Sequence, residues 1–230
     1  MQRSVPLSAI RRSSAREDVL QALRAALISG ALKPNEIISA PTLAEAFGVS
    51  ATPVREAMIE LARENMVEVV RNKGFRVLQL SGAELDELVE VRLLLEVPTM
   101  GQIAASFQEW MRTELERLLV LAGQVRKAAL AGDLVAYIKI DNEFHLGFLA
   151  LGGNASLVRT VGELRGRSRL YGLEKAAASG HVIATATEHR ELVGLALDGD
   201  VAGIQQLTAR HINRVRTTWA TGDEEPGSTR

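Results

Sequence analysis

The chain has 230 residues, 47% hydrophobic, 24% charged and 4% aromatic, enough to bury a substantial core and equal to about one and a half typical domains. Its lack of cysteine excludes disulfides, thiolate metal sites and cysteine nucleophiles, so any metal must be held by imidazole and carboxylate; with no apolar run near the ~20 residues of a membrane helix, a cytoplasmic chain with no membrane partner is expected. The formal net charge of −1 hides a split, since residues 1–78 carry 11 Lys and Arg against 8 Asp and Glu, whereas residues 79–230 carry 16 against 20.

In chain order, Val19, Leu20, Leu23, Ala26 and Leu27 recur at helical spacing and Gly30 ends the pattern, which predicts a first helix over 15–29. After the turn at Leu32 to Asn35 come a short helix over 42–47, a tight turn at Gly48 to Ser50 and a second helix over 52–64. Met66 to Val70 is short and valine-rich, Arg71 to Gly74 is a turn, and Phe75 to Leu80 reads as a returning strand. Helix, helix, turn, helix and hairpin make a winged helix-turn-helix. Ser81 stands three residues before Glu84, the pattern of a capping box, and marks a new start. From there apolar residues recur at three and four through 85–105, 115–131, 134–151, 157–173, 183–197 and 201–219, about six helices with no strand signal. Residues 221–230 are small, polar and acidic, and are expected to be a disordered tail.

A helix-turn-helix reads DNA with the first turn of its second helix. Here that turn carries Ser50, Ala51, Thr52, Pro53 and Arg55. Ser50 is placed to cap the helix, whose first N–H groups then face a phosphate, and Arg55 has the fork that grips guanine O6 and N7. Lys73, at the hairpin tip, suits the DNA backbone or the minor groove. Any one of these alone reads as a solvated side chain; together they form an array. The run Gly48-Val-Ser-Ala-Thr-Pro-Val-Arg-Glu-Ala-Met58, preceded by Leu43-Ala-Glu45 and followed by a short wing, closely resembles the GntR family of bacterial transcription regulators. That family usually has an arginine directly after the serine of the turn, where this chain has Ala51, so the resemblance implies an altered base preference at that position.

The chain has four histidines. Asp141 and His145 are four apart on a stripe with Leu134, Ile138, Phe148 and Leu149; His189 shares a stripe with Val182, Leu192, Val193 and Ala196, and His211 with Ile204, Leu207 and Val215. One such histidine alone is ordinarily a hydrogen-bonded core residue. Four inward polar groups on three helices need a common partner, and three imidazoles with one carboxylate suit a divalent transition metal such as Zn, Ni, Mn or Co. His181, after Gly180 at a helix start, reads as a capping or surface residue. The helical half resembles the FCD class of GntR regulators, whose metal-binding members use an Asp, a His four residues on and two later His; that resemblance assigns Asp141, His145, His189 and His211 as ligands. The phrase Glu90-Val-Arg-Leu-Leu-Leu-Glu96 is also typical of the class.

Arg92 lies on the stripe of Leu85, Leu88, Val89 and Leu95, and a permanent charge there requires an anion. Glu96, four residues on, is the ordinary partner and an anionic effector the functional one; the two are compatible. Arg165 and Arg169 share a face, one of them is expected to enter the cavity, and Arg169 is the candidate effector contact. Met100, Phe107, Trp110 and Met111 read as core or subunit contact. The expected protein is therefore mainly α: a winged helix-turn-helix DNA-binding domain over 1–78 and an all-helical antiparallel bundle over 82–220. The resemblance implies a bacterial transcription regulator acting on double-stranded operator DNA as a homodimer, most often as a repressor, with a small organic acid as effector bound at the metal. The alternatives are a purely structural metal, or a metal-dependent enzyme, for which no His-Glu-x-x-His, phosphate loop or dinucleotide loop is present.

Overall fold

The computed structural model of the chain describes residues 13–28, 30–168, 177 and 180–219. Helix α1 (Ser13–Ile28) turns Val19, Leu20, Leu23 and Leu27 inward and packs on α3 (Ala51–Arg63). Between them lie a two-residue strand β1 (Ile37–Ile38) and α2 (Ala40–Phe47). Ser39 caps α2, its Oγ accepting from the Thr42 N–H at 3.2 Å, and Gly48 ends it in the left-handed region at φ 65°. Val54, Ala57, Met58 and Leu61 form the fully buried face of α3.

The hairpin β2 (Val67–Val70) and β3 (Gly74–Val77) is antiparallel, with Val69 opposite Phe75. The sheet order is β1-β3-β2, so the wing has a third strand that the sequence pattern misses. Two residues are too few to show alternation, and β1 is held by pairing Ile38 with Phe75. Gly74 sits at φ 131°, and a Cβ there would strike the Ile38 carbonyl. Gly74→Ala is therefore expected to cost about 1–3 kcal/mol, read as a shift in denaturant midpoint at unchanged slope. A change below about 0.5 kcal/mol would show that the wing tolerates the side chain.

The capping box forms as expected: Ser81 Oγ accepts from the Glu84 N–H at 3.2 Å, and Glu84 Oε2 accepts from the Ser81 N–H at 2.8 Å. It opens α4 (Gly82–Ala105). After a 3₁₀ turn at Glu109–Met111 come α5 (Arg112–Ala131), α6 (Leu134–Ala150), α7 (Ala155–Ser168), α8 (His181–Leu197) and α9 (Val201–Trp219). Each follows its sequence pattern closely, except that the fourth pattern runs beyond Ser168 into residues outside the described set, as does the 221–230 segment. Leu115, Leu118, Phe144, Phe148, Val161, Leu192, Val193 and Ile204 are all fully buried in the bundle core. A second apolar cluster joins α1, α2, α3 and the hairpin to Val125, Ala128, Tyr137, Val182 and Ala186, so the amino-terminal unit rests on the ends of α5, α6 and α8. Met100 and Met111 are buried and Phe107 partly so, but Trp110 is 61% exposed and is not core. Among the described residues no helix is long and apolar enough to cross a membrane.

Candidate functional site

At the amino-terminal end, Thr52 and Arg55 are exposed on the first turns of α3, and Lys73 is exposed at the tip of the wing. Arg55 and Lys73 border one groove of about 400 Å³, together with Ser39, Arg71 and Phe75. Arg71 was not singled out in the sequence, because a lone cation in a turn carries no distinguishing signal. Ser50 occupies the N-cap position of α3 at φ −72°, ψ 160°, but its side chain makes no capping hydrogen bond. The expected Ser50 cap is thus corrected: the serine that caps a helix of this motif is Ser39, and the first N–H groups of α3 are not taken up by the Ser50 hydroxyl. That is the condition under which a helix start accepts a phosphate.

In the bundle, α6 contributes Asp141 and His145 one turn apart, α8 contributes His189 and α9 contributes His211. All four are buried, and one possible ligand atom from each lies within 4.8 Å of the others, a group that could hold a metal ion. His189 Nε2 is 2.9 Å from Asp141 Oδ1 and 3.1 Å from His145 Nε2, with His145 Nε2 and Asp141 Oδ1 3.7 Å apart. His189 Nδ1 is 3.1 Å from the Ala186 carbonyl, which can only accept, so the ring donates there. In the neutral ring Nε2 then carries a lone pair toward the Asp141 carboxylate. Two electron-pair donors so close repel unless a proton or a cation lies between them, and the donor set therefore fits a divalent metal. Burial, helped by the nearby Arg165 charge and opposed by Asp141, holds the His145 imidazole well below its ordinary pKa, which keeps it neutral and able to coordinate.

A buried charge network backs this centre. Arg165 on α7 is fully buried and donates from Nη2 to Asp141 Oδ2 at 2.6 Å, from Nη1 to Glu96 Oε2 at 3.2 Å and from Nε to Asn142 Oδ1 at 3.3 Å. Arg92 on α4, also fully buried, donates from Nε to Glu96 Oε1 at 2.6 Å and from Nη1 to Ser168 Oγ at 3.4 Å. Burial pushes the Glu96 carboxyl up, but Arg92 and Arg165 outweigh it and hold the group below its ordinary value, so Glu96 is the ionised bridge between them. Arg92 thus has the ordinary partner foreseen for it, and among the described residues its buried Nη2 has no hydrogen-bond partner, nor has the buried Thr208 Oγ1 on α9. Helices α4 and α9 pack along each other. Arg165 enters the core, while Arg169 lies outside the described residues.

Glu188, which the sequence reading passed over, is 5% exposed. Its Oε2 accepts from His211 Nδ1 at 2.9 Å, and its Oε1 lies 3.1 Å from Arg214 Nη2 and 3.3 Å from Arg210 Nε. Burial raises its pKa, but the hydrogen bond from His211 and the two arginines outweigh this and lower it. His181 is exposed at the start of α8, as expected for a surface residue.

Comparison with known proteins agrees with both halves. Residues 15–77 match the bacterial regulatory proteins of the gntR family, and residues 87–214 match the FCD domain. The chain is 30% identical over 203 residues to an uncharacterized HTH-type transcriptional regulator in an unstable DNA locus of Streptomyces ambofaciens, covering 87% of this chain and 83% of that protein. It is 25% identical over 191 residues to the HTH-type transcriptional repressor GlaR of Escherichia coli K12, covering 81% and 87% respectively. Among solved structures, E. coli McbR/YncC shares the fold with a TM-score of 0.67 at 24% identity, over 86% of this chain and 93% of that one. A helix-turn-helix with its wing at one end, an FCD bundle at the other and a relative matched along most of its length lead to one conclusion: this chain belongs to the GntR family of bacterial regulatory proteins and is a DNA-binding transcription regulator carrying an FCD domain.

Proposed function

We propose that this regulator is a cytoplasmic, homodimeric repressor whose bundle, residues 82–220, holds a divalent transition metal and a small carboxylate effector that alters operator binding by residues 1–78. The observation that carries this reading is the buried convergence of Asp141, His145, His189 and His211. Zn, Ni, Mn or Co would each suit these ligands. When bound, the metal supplies a positive centre for a carboxylate. Arg92 Nη2 and Thr208 Oγ1, both buried without a hydrogen-bond partner among the described residues, supply further donors to a small polar anion, since a buried donor left unmet is costly and gains most from a ligand. Arg165 keeps Asp141 in place. Helix α6 carries two of the four ligands and packs on α1, so the helix that meets the effector is one on which the DNA-reading end rests. The effector acts through its different affinity for the DNA-competent and DNA-incompetent arrangements. Val91 and Leu94, exposed on α4, support a second copy as partner, and paired modules are what tight operator binding requires.

Fluorescence anisotropy with a labelled duplex from the region upstream of the regulator's own gene tests this. Metal-loaded protein should change its operator affinity by about 5–150-fold with one of a panel of small mono-, di- and tricarboxylates. No response to any carboxylate, with chelation lowering only the melting temperature, would favour a structural metal. On the DNA side, Arg55→Ala is expected to weaken specific binding by about 1–3 kcal/mol and to relax base preference at one position. Lys73→Ala should weaken binding to all duplexes alike and reduce the salt slope by about 1. Unchanged binding by both variants would remove this face of α3 and the wing from the interface.

A further inference from the structure

Glu188 stands outside the four proposed ligands, yet it is a buried carboxylate that joins α8 to α9. A carboxylate has no hydrogen to give, so the hydrogen in its 2.9 Å contact with His211 Nδ1 belongs to the imidazole. In the neutral ring this leaves the lone pair on Nε2, the nitrogen that remains for the Asp141, His145 and His189 cluster. The opposite tautomer would set a lone pair against a carboxylate and point a hydrogen at the cluster. Arg210 and Arg214 balance the buried charge, at 3.3 and 3.1 Å from Glu188 Oε1. His189 receives the same instruction by a separate route, from the Ala186 carbonyl.

We infer that Glu188 is a positioning residue: it locks His211 with its hydrogen on Nδ1 and so presents Nε2 as a ready electron-pair donor to a divalent cation. The cation rests on the reading proposed above; the tautomer does not, because it is set by Glu188 before any metal arrives. An outer carboxylate behind a ligating histidine fixes ring orientation and raises ligand basicity, and its loss typically lowers metal affinity by about 10–100-fold.

The test has two readouts on the full chain. In metal-free protein labelled with ¹⁵N-histidine, long-range imidazole spectra should show His211 protonated on Nδ1 in wild type, and shifted toward the Nε2-protonated form in Glu188→Ala. Glu188→Gln keeps an acceptor for the Nδ1 hydrogen, so it should retain the wild-type tautomer and serves if the alanine variant loses its helical circular dichroism. In competition titrations with Zn²⁺ against a chelating dye, affinity should fall about 10–100-fold in Glu188→Ala and by less in Glu188→Gln. Wild-type His211 found protonated on Nε2, or a tautomer unchanged in a folded alanine variant, would overturn the inference. The expected tautomer shift with no Zn²⁺ bound by wild type would uphold the positioning role and sink the metal reading instead.

Discussion

Protein loaded with Zn²⁺ or Ni²⁺ and freed of excess is expected to retain about one metal per chain, and His189→Ala and His211→Ala are expected to retain none. Each variant removes an inward imidazole from a different helix of the cluster formed by Asp141, His145, His189 and His211. The same measurement carries a stability consequence. A metal present at about 100 times its dissociation constant stabilises the folded chain by about 2.7 kcal/mol, so chelation should lower the melting temperature by roughly 5–11 °C for a chain of this size. The two histidine variants should melt at one temperature with or without chelator. Retention of a full complement of metal by both variants would place any bound ion elsewhere in the chain.

Arg165→Ala should be the most destabilising single change in the bundle. Arg165 and Asp141 are fully buried and Glu96 is 2% exposed; removing the guanidinium leaves Asp141 without its 2.6 Å partner and Glu96 with Arg92 alone. Breaking a buried pair from one side costs about 3–5 kcal/mol, because a carboxylate is left desolvated and uncompensated. A chain with typical stability of about 5–15 kcal/mol would lose a large share of it. Because much of that cost is the orphaned charge, Asp141→Asn in the same chain should recover about 0.5–3 kcal/mol. Arg167→Ala, two residues along on a less buried face, should stay within about 0.5 kcal/mol of wild type. Urea unfolding of wild type and these three variants reads the differences directly, and an Arg165→Ala penalty below about 1 kcal/mol would show that water or Arg92 compensates the site.

Much of this molecule was legible in one dimension. Helical periodicity located α1 through α9 because each buries one stripe of its surface, and a stripe leaves its spacing in the sequence. The same reasoning placed Asp141, His145, His189 and His211 on inward faces before anything showed that the faces meet. The turn at Gly48 and the residues that follow it were legible for a similar reason: a left-handed turn and a helix start each need particular residue types.

Other features carried no usable local signal. Ser39 and Ser50 both stand just before a helix, yet Ser39 caps and Ser50 does not. Strand β1 exists only because β3 is there to pair with it. Arg165 enters the core because of how α7 lies against α4 and α6, which helical spacing alone does not tell. Glu188 adjoins His189 but projects toward α9, where its partner is 23 residues away along the chain. Periodicity tells which way a side chain points from its own helix, since that follows from backbone geometry. It does not tell what the side chain meets. Sequence by itself thus determined the family, the winged helix-turn-helix, the helical bundle and the inward direction of four polar residues. Tertiary structure decided that those four converge, that two buried arginines share Glu96, and that Glu188 stands behind His211, because partnership between distant segments depends on how whole helices pack.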